Sequence, residues 1–218
     1  MKSLLLSDLY NVSTIGKRLL SAVSIISISF LIGFGGGNFL TYTTCMCGIM
    51  VVNLFSMDER SNWIKYAMIM PTTKREYVYA KYIMAIGFVA GGFLISFLIY
   101  LIASLLSVVE KMAEADLKVY SITALSVGLL FISLYVPALI KVGVEKARVL
   151  VLLIIGAFTA LCFIVYNNQQ KAPNWLIQFG ENIGHALDRN VYIMLLFMLV
   201  LLAISLLFSV RWMEKKEI

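Results

Sequence analysis

The sequence predicts an all-α polytopic membrane protein with six transmembrane helices. Hydrophobic residues make up 61% and charged residues 14% of the 218 positions, which is far more apolar than a soluble globular domain. Apolar stretches of about 20 residues, the length that crosses a bilayer, recur along the chain. Exposed strands would leave backbone polar groups unpaired in hydrocarbon, so the spans are predicted to be helical. Residues 1–218 are therefore predicted to form a single transmembrane domain.

Polar and apolar segments follow one another in a regular order. Residues 1–18 place apolar side chains on one helical face, which predicts an interfacial helix lying on the inner membrane surface. A polar segment at 58–81 separates the second span from the third, and an amphipathic segment at 167–190 separates the fifth from the sixth. The six predicted spans are 19–39, 40–57, 82–108, 119–140, 149–166 and 191–210.

The basic residues predict the orientation of these spans. With the amino terminus inside, fourteen of the 18 lysine and arginine residues fall in inner segments and four fall outside. Because short cytosolic segments of membrane proteins are enriched in lysine and arginine, both termini are predicted to be cytosolic. The basic residues flank the spans, so the net charge of +6 is explained by topology and does not predict nucleic-acid binding.

The polar segment between the second and third spans is the strongest candidate for a functional site. It contains the run Asp58-Glu59-Arg60-Ser61-Asn62-Trp63 and is predicted to be a cytosolic region of two short helices. Pro71 interrupts the first helix, because proline lacks the backbone donor that helix continuation needs. Thr73 and Glu76 have the spacing of a capping box, which predicts the start of the next helix. The segment is either a rigid docking surface or an interfacial helix that only anchors the spans.

Small residues recur every four positions in two predicted spans, and this spacing places them on one helical face. They are Ser29, Gly33 and Gly37 in the first span, and Gly87 and Gly91 in the third. Small side chains allow two helix backbones to approach closely in a membrane. The pattern predicts helix packing, either within one chain or between two subunits.

The residues that would support catalysis or metal binding do not occur in suitable patterns. Cys45, Cys47 and Cys162 fall within predicted spans, and His185 is the single histidine, so no metal site is predicted. The span centres carry no ionisable residue, which disfavours an ion-driven carrier and an intramembrane enzyme. No Gly-rich nucleotide loop is present. The chain itself is expected to bind no cofactor and to have no catalytic residue.

The chain resembles the membrane subunits of ATP-binding-cassette exporters of the type-two permease family. The resemblance covers nearly the full length and is most specific in DERSNWIKYAMIMPTTKREYVYAKY at 58–82. It implies a bacterial plasma-membrane permease whose partner ATPase binds ATP and Mg²⁺. In that family the loop after the second span forms a coupling helix that contacts the ATPase. The contact residues that the resemblance implies are Asp58, Glu59, Arg60, Asn62, Trp63 and Tyr66.

The resemblance is nearest to small bacterial permeases that export amphipathic peptides, including phenol-soluble modulins, or give immunity to antimicrobial peptides. It implies an amphipathic peptide as substrate, membrane lipid as surroundings, and a second permease, identical or homologous, as partner. A second hypothesis is a non-transporting membrane sensor or assembly factor that uses the same segment to dock a cytosolic regulator.

Overall fold

The computed structural model of the protein describes Leu6, Tyr10 and residues 36–61, Trp63, Tyr66, 73–109, 111–167 and 191–215. Five long helices account for most of these residues: α1 (Gly36–Arg60), α2 (Lys74–Leu105), α3 (Glu114–Val142), α4 (Val144–Asn167) and α5 (Val191–Lys215). Four of them, α1, α2, α3 and α5, are long and apolar enough to cross a membrane. Within the described ranges the protein is all-helical and has the helices of a multi-pass membrane protein.

The five helices correspond to the second through sixth predicted spans, and most extend beyond the predicted limits. Apart from Leu6, Tyr10 and Asn167, the predicted interfacial helix 1–18 and the predicted outer segment 167–190 lie outside the described residues, as does most of the first predicted span. One boundary differs from the prediction, because 36–39 belong to α1 and not to a preceding span. Gly36 and Gly37 form the first turn of α1, where a Cβ would come within 2.6 Å of the Tyr100 ring and 2.7 Å of the Tyr120 ring respectively.

The core lies between α1, α2, α3 and α5. Its largest apolar cluster lies towards the end of the bundle where α1 finishes, and includes Phe55, Tyr77, Tyr82, Val136 and Met213. Burial of large aliphatic and aromatic side chains in this cluster supplies the dense packing that holds membrane helices together, since lipid offers no hydrophobic contrast.

Close contact between α1, α2 and α3 involves Gly92 and Gly128, which were not predicted, as well as the predicted Gly37. A Cβ at Gly92 would lie 2.4 Å from the Cys47 Cβ atom, and one at Gly128 would lie 2.7 Å from Val89. In contrast, Cβ atoms at Gly87 and Gly91 would meet no atom within 4 Å, so among the described residues these two glycines pack against no other helix. Ser29 and Gly33 lie outside the described residues. Gly37 packs so closely against Tyr120 that a Cβ there would lie 2.7 Å from the ring.

The helix α3 contains a proline and ends at a glycine. Pro137 lies inside α3, where its missing N–H leaves the carbonyl of Ser133, four residues earlier, without its usual donor. Gly143 alone separates α3 from α4 and has a φ of 84°, a left-handed region that glycine adopts without steric cost. The single-residue connection fixes the start of α4 beside the end of α3.

Candidate functional site

The antiparallel course of the helices brings five helix termini to one end of the bundle. The ends of α1, α3 and α5 meet the starts of α2 and α4 there. Basic residues are concentrated at this end: of the eleven lysine and arginine residues that the structure describes, nine lie there, and only Lys111 and Lys118 lie at the other. We call this end the basic end of the bundle.

A buried ion pair joins α1 to α2 at the basic end. The Lys81 ammonium lies 2.8 Å from Oδ2 of Asp58, and the two side chains are 1% and 2% exposed. The Tyr77 hydroxyl donates to the same Asp58 oxygen at 2.6 Å. The Lys81 Nζ atom also lies 5.6 Å from the centre of the Phe55 ring and 5.3 Å from that of Tyr77, within the range of cation–π attraction. Both charges therefore have partners, as burial requires.

Glu59, the next residue of α1, joins α1 to α4. Its Oε2 atom accepts a hydrogen bond of 3.0 Å from the backbone N–H of Val144, the first residue of α4. The first N–H groups of a helix have no partner within the helix, and its dipole favours a negative charge there. The carboxylate thus caps a neighbouring helix, and Gly143 leaves room for it, since a Cβ at that position would lie 3.1 Å from Oε1.

The start of α2 is capped internally and joined to the end of α5. The Thr73 hydroxyl accepts from the Glu76 N–H at 3.2 Å, and the Glu76 carboxylate accepts from the Thr73 N–H at 3.2 Å. This capping box is the one that the sequence predicted. Arg75 forms a salt bridge with Glu214, and Lys74 donates to the Glu214 carbonyl at 3.3 Å. These exposed contacts complete a set of polar links among α1, α2, α4 and α5.

The predicted contact residues fall into three structural groups. Asp58 is enclosed within the chain and Glu59 is occupied by α4, although part of Glu59 is exposed. Trp63 is half-buried and packs against the core, while Arg60 and Tyr66 are exposed. Asn62 and Pro71 lie outside the described residues. In this conformation the buried carboxylate of Asp58 does not reach a partner's surface, so we assign Asp58 a positioning role and leave Arg60 and Tyr66 as surface candidates.

Lys81 and Tyr77, which complete the buried cluster, were not among the predicted site residues. Lys81 was counted as one of many basic residues flanking a span. Its position in the third turn of a helix that starts at a capping box is the signal that could have identified it. A lysine so far into an apolar helix needs a partner, and Asp58 is the acidic residue closest to the end of the preceding span.

Four helices long and apolar enough to cross a membrane, with ion pairs at the basic end of the bundle, are typical of a multi-pass membrane protein. The sequence matches the family described as ABC-2 family transporter protein over residues 3–214. The chain belongs to this family and is a membrane permease subunit of an ABC transporter, in which ATPase activity lies in a separate subunit. No curated protein and no solved structure matches the chain.

Proposed function

We propose that this permease moves an amphipathic peptide or a similar amphiphile outward across a bacterial plasma membrane. A separate ATP-binding-cassette subunit binds ATP and Mg²⁺ and supplies the energy by hydrolysis. The main support for the proposal is that the chain belongs to the ABC-2 transporter family. Its polar links between helices also converge at one end of the bundle. The nine basic residues at this end support a cytosolic position by the positive-inside rule, and the proposed ATPase would dock on that side.

The exposed surface beside the buried ion pair is the proposed docking site for the ATPase. Arg60 and Tyr66 are exposed, and both residue types are common in the energetically important parts of protein interfaces. The neighbouring Asp58 and Glu59 hold the end of α1 against α2 and α4 through buried or charged hydrogen bonds. A force on Arg60 or Tyr66 therefore acts on three helices, which a flexible loop would not allow.

The composition of the spans supports an amphiphile as substrate. Between their charged ends the described parts of α1, α2, α3 and α5 carry apolar and hydroxyl side chains, together with the amides of Asn38 and Asn53 in α1, and no acidic, basic or histidine residue. These helix segments offer an ion or proton no charged group to bind, but they are compatible with an apolar or amphipathic substrate. The face at Gly87 and Gly91, which no other described residue approaches closely, offers a contact surface for a second permease, identical or homologous, and lipid surrounds the remaining apolar faces.

The docking site is tested by co-purification from the native membrane. We expect the double variant Arg60→Glu/Tyr66→Ala to lose most of the nucleotide-binding subunit that the tagged wild-type chain recovers, because a cation and an aromatic contact are removed. The matched control is Lys118→Glu/Tyr192→Ala, which makes the same kinds of change to exposed residues at the other end of the bundle. Mass spectrometry of the recovered proteins measures the loss.

Two outcomes would contradict the proposal. If the wild-type chain recovers a cytosolic regulator without nucleotide-binding motifs and no ATPase, the sensor hypothesis replaces the permease mechanism. If the ATPase remains bound to Arg60→Glu/Tyr66→Ala as strongly as to wild type, docking occurs elsewhere and this segment serves only as a membrane anchor.

A further inference from the structure

A chain of hydroxyl groups crosses the interior of the bundle one residue beyond the buried lysine. The Tyr82 hydroxyl lies 2.7 Å from Ser205 Oγ and 2.8 Å from Ser209 Oγ, and both serines belong to α5. Ser205 Oγ in turn donates to the backbone carbonyl of Ser133 in α3 at 2.8 Å. Tyr82 is 1% exposed. Three helices are thus joined by consecutive hydrogen bonds in a region shielded from water.

The last acceptor in this series of hydrogen bonds, the Ser133 carbonyl, is left without a backbone donor by a proline. Pro137 has no N–H, so the Ser133 carbonyl lacks the donor that an uninterrupted helix would supply. A freed carbonyl within a membrane needs another donor, and a serine of a neighbouring helix can provide it. Ser205 does so here. The proline break in α3 and the serine of α5 therefore form one structural unit.

The donor and acceptor roles along the chain follow from counting hydrogens. A hydroxyl group has one hydrogen to donate and can accept from others. Ser205 donates its hydrogen to the Ser133 carbonyl, so Tyr82 must donate to Ser205, and Ser209 must donate to Tyr82. The direction is Ser209 to Tyr82 to Ser205 to the Ser133 carbonyl. Loss of Ser205 leaves the buried Ser133 carbonyl without its donor, although Tyr82 keeps its hydrogen bond with Ser209. Loss of Ser209 leaves both Tyr82 and Ser205 still able to donate.

We propose that Tyr82, Ser205 and Ser209 form a hydroxyl relay that ties α2 and α5 to the proline break in α3, so that these helices move together when the basic end is displaced. The proposal rests on the proposed function, because the displacement comes from the docked ATPase. Lys81 and Tyr82 are adjacent in α2 and are linked to different helices: Lys81 is bound to α1, and Tyr82 to α5 and through it to α3. Tyr82 is thus a positioning residue that extends the motion to α5.

A double-mutant cycle tests the relay without any partner. In the native chain, Ser205→Ala should lower the melting temperature in detergent clearly, and by more than Ser209→Ala. In a Pro137→Ala background, the residue-137 N–H can donate to the Ser133 carbonyl, so Ser205→Ala should cost markedly less. Ser126→Ala is the control, because that buried hydroxyl has no hydrogen-bond partner among the described residues. Equal losses for Ser205→Ala in both backgrounds would overturn the link to the proline break.

Spin-label distances in the complex with its co-purified ATPase test the coupling. In a cysteine-free background, the exposed pair Ile86→Cys/Leu207→Cys reports α2 relative to α5, and Ile86→Cys/Leu153→Cys reports α2 relative to α4. With Mg²⁺ and the ATP analogue AMP-PNP, we expect the α2–α4 distance to change and the α2–α5 distance to stay constant. Tyr82→Phe should make the α2–α5 distance change too, whereas the exposed control Tyr79→Phe should not.

The two experiments separate failure of the relay from failure of the proposed function. An α2–α5 distance that stays constant in Tyr82→Phe, while the α2–α4 distance responds, overturns the relay and leaves the permease mechanism intact. A wild-type complex in which neither distance responds to AMP-PNP overturns the proposed coupling, and the double-mutant cycle still decides whether the hydrogen-bonded relay exists.

Discussion

Replacing Lys81 with methionine is expected to lower the free energy of unfolding by about 3 to 5 kcal/mol, because it leaves the Asp58 carboxylate buried without its counter-charge. The Asp58 and Lys81 side chains are 2% exposed or less, so water cannot replace the lost partner. Methionine fills a volume similar to that of the lysine stem, so the change removes chiefly the charge. Reversible denaturation of the purified chain in mixed detergent measures the difference.

A double-mutant cycle separates the ion pair from other contributions of Lys81. Asp58→Asn/Lys81→Met removes both charges and should recover most of the stability lost in Lys81→Met, since no isolated charge then remains buried. Lys146→Met is the matched control, because Lys146 is exposed at the same end of the bundle and its loss should change stability by less than about 0.5 kcal/mol. Additive effects of the two single changes at 58 and 81 would show that the residues do not act as a pair.

The second large effect is expected at Gly92, where alanine should destabilise the protein by about 1 to 3 kcal/mol through overpacking. Its added Cβ would lie 2.4 Å from the Cβ and 2.7 Å from the Sγ of Cys47, so α1 and α2 would have to separate. The preceding glycine provides the control. A Cβ at Gly91 meets no atom within 4 Å, so Gly91→Ala should be neutral or stabilise the isolated chain by about 0.5 to 1 kcal/mol through helix propensity.

The Gly91 variant also tests the predicted packing role of the Gly87–Gly91 face. If that face contacts a second permease, Gly91→Ala should weaken association of two differently tagged permeases while leaving the melting temperature of the separated chain unchanged. Equal destabilisation of the separated chain by Gly91→Ala and Gly92→Ala would contradict the described packing of α2, because it would place both glycines against other helices.

Local sequence patterns were sufficient to predict the helices and some of their ends. Apolar length predicted five of the helices that the structure describes, since a spanning segment must be continuous and apolar. The capping box of Thr73 and Glu76 was predicted because both partners lie within four residues of each other. Because successive predicted spans alternate in direction, the prediction also brought the ends of α1, α3 and α5 to the same side of the bundle.

Contacts between distant parts of the chain could not be predicted in the same way. A period of four in small residues reveals a stripe, but not which helix or subunit faces it. The packing role of Gly87 and Gly91 therefore stays a prediction, whereas the close contact of Gly92 with Cys47 could not be predicted from that spacing. Asp58 was named as a contact residue because of the family resemblance, and its burial depends on its pairing with Lys81 of the neighbouring helix α2. Tyr82 and Ser205 are separated by 123 residues, and only the packing of α2 on α5 brings them together.

The most direct test of the central claim is ATP-driven transport in inside-out vesicles that contain this permease and its co-purified ATPase. A fluorescently labelled amphipathic helical peptide is supplied outside the vesicles, and its accumulation inside is measured. We expect accumulation with ATP and Mg²⁺, none with AMP-PNP, and near-complete loss in Arg60→Glu/Tyr66→Ala but not in Lys118→Glu/Tyr192→Ala. Accumulation that needs no ATP, or that persists at the wild-type rate in Arg60→Glu/Tyr66→Ala, would contradict a permease driven through the basic end of its bundle.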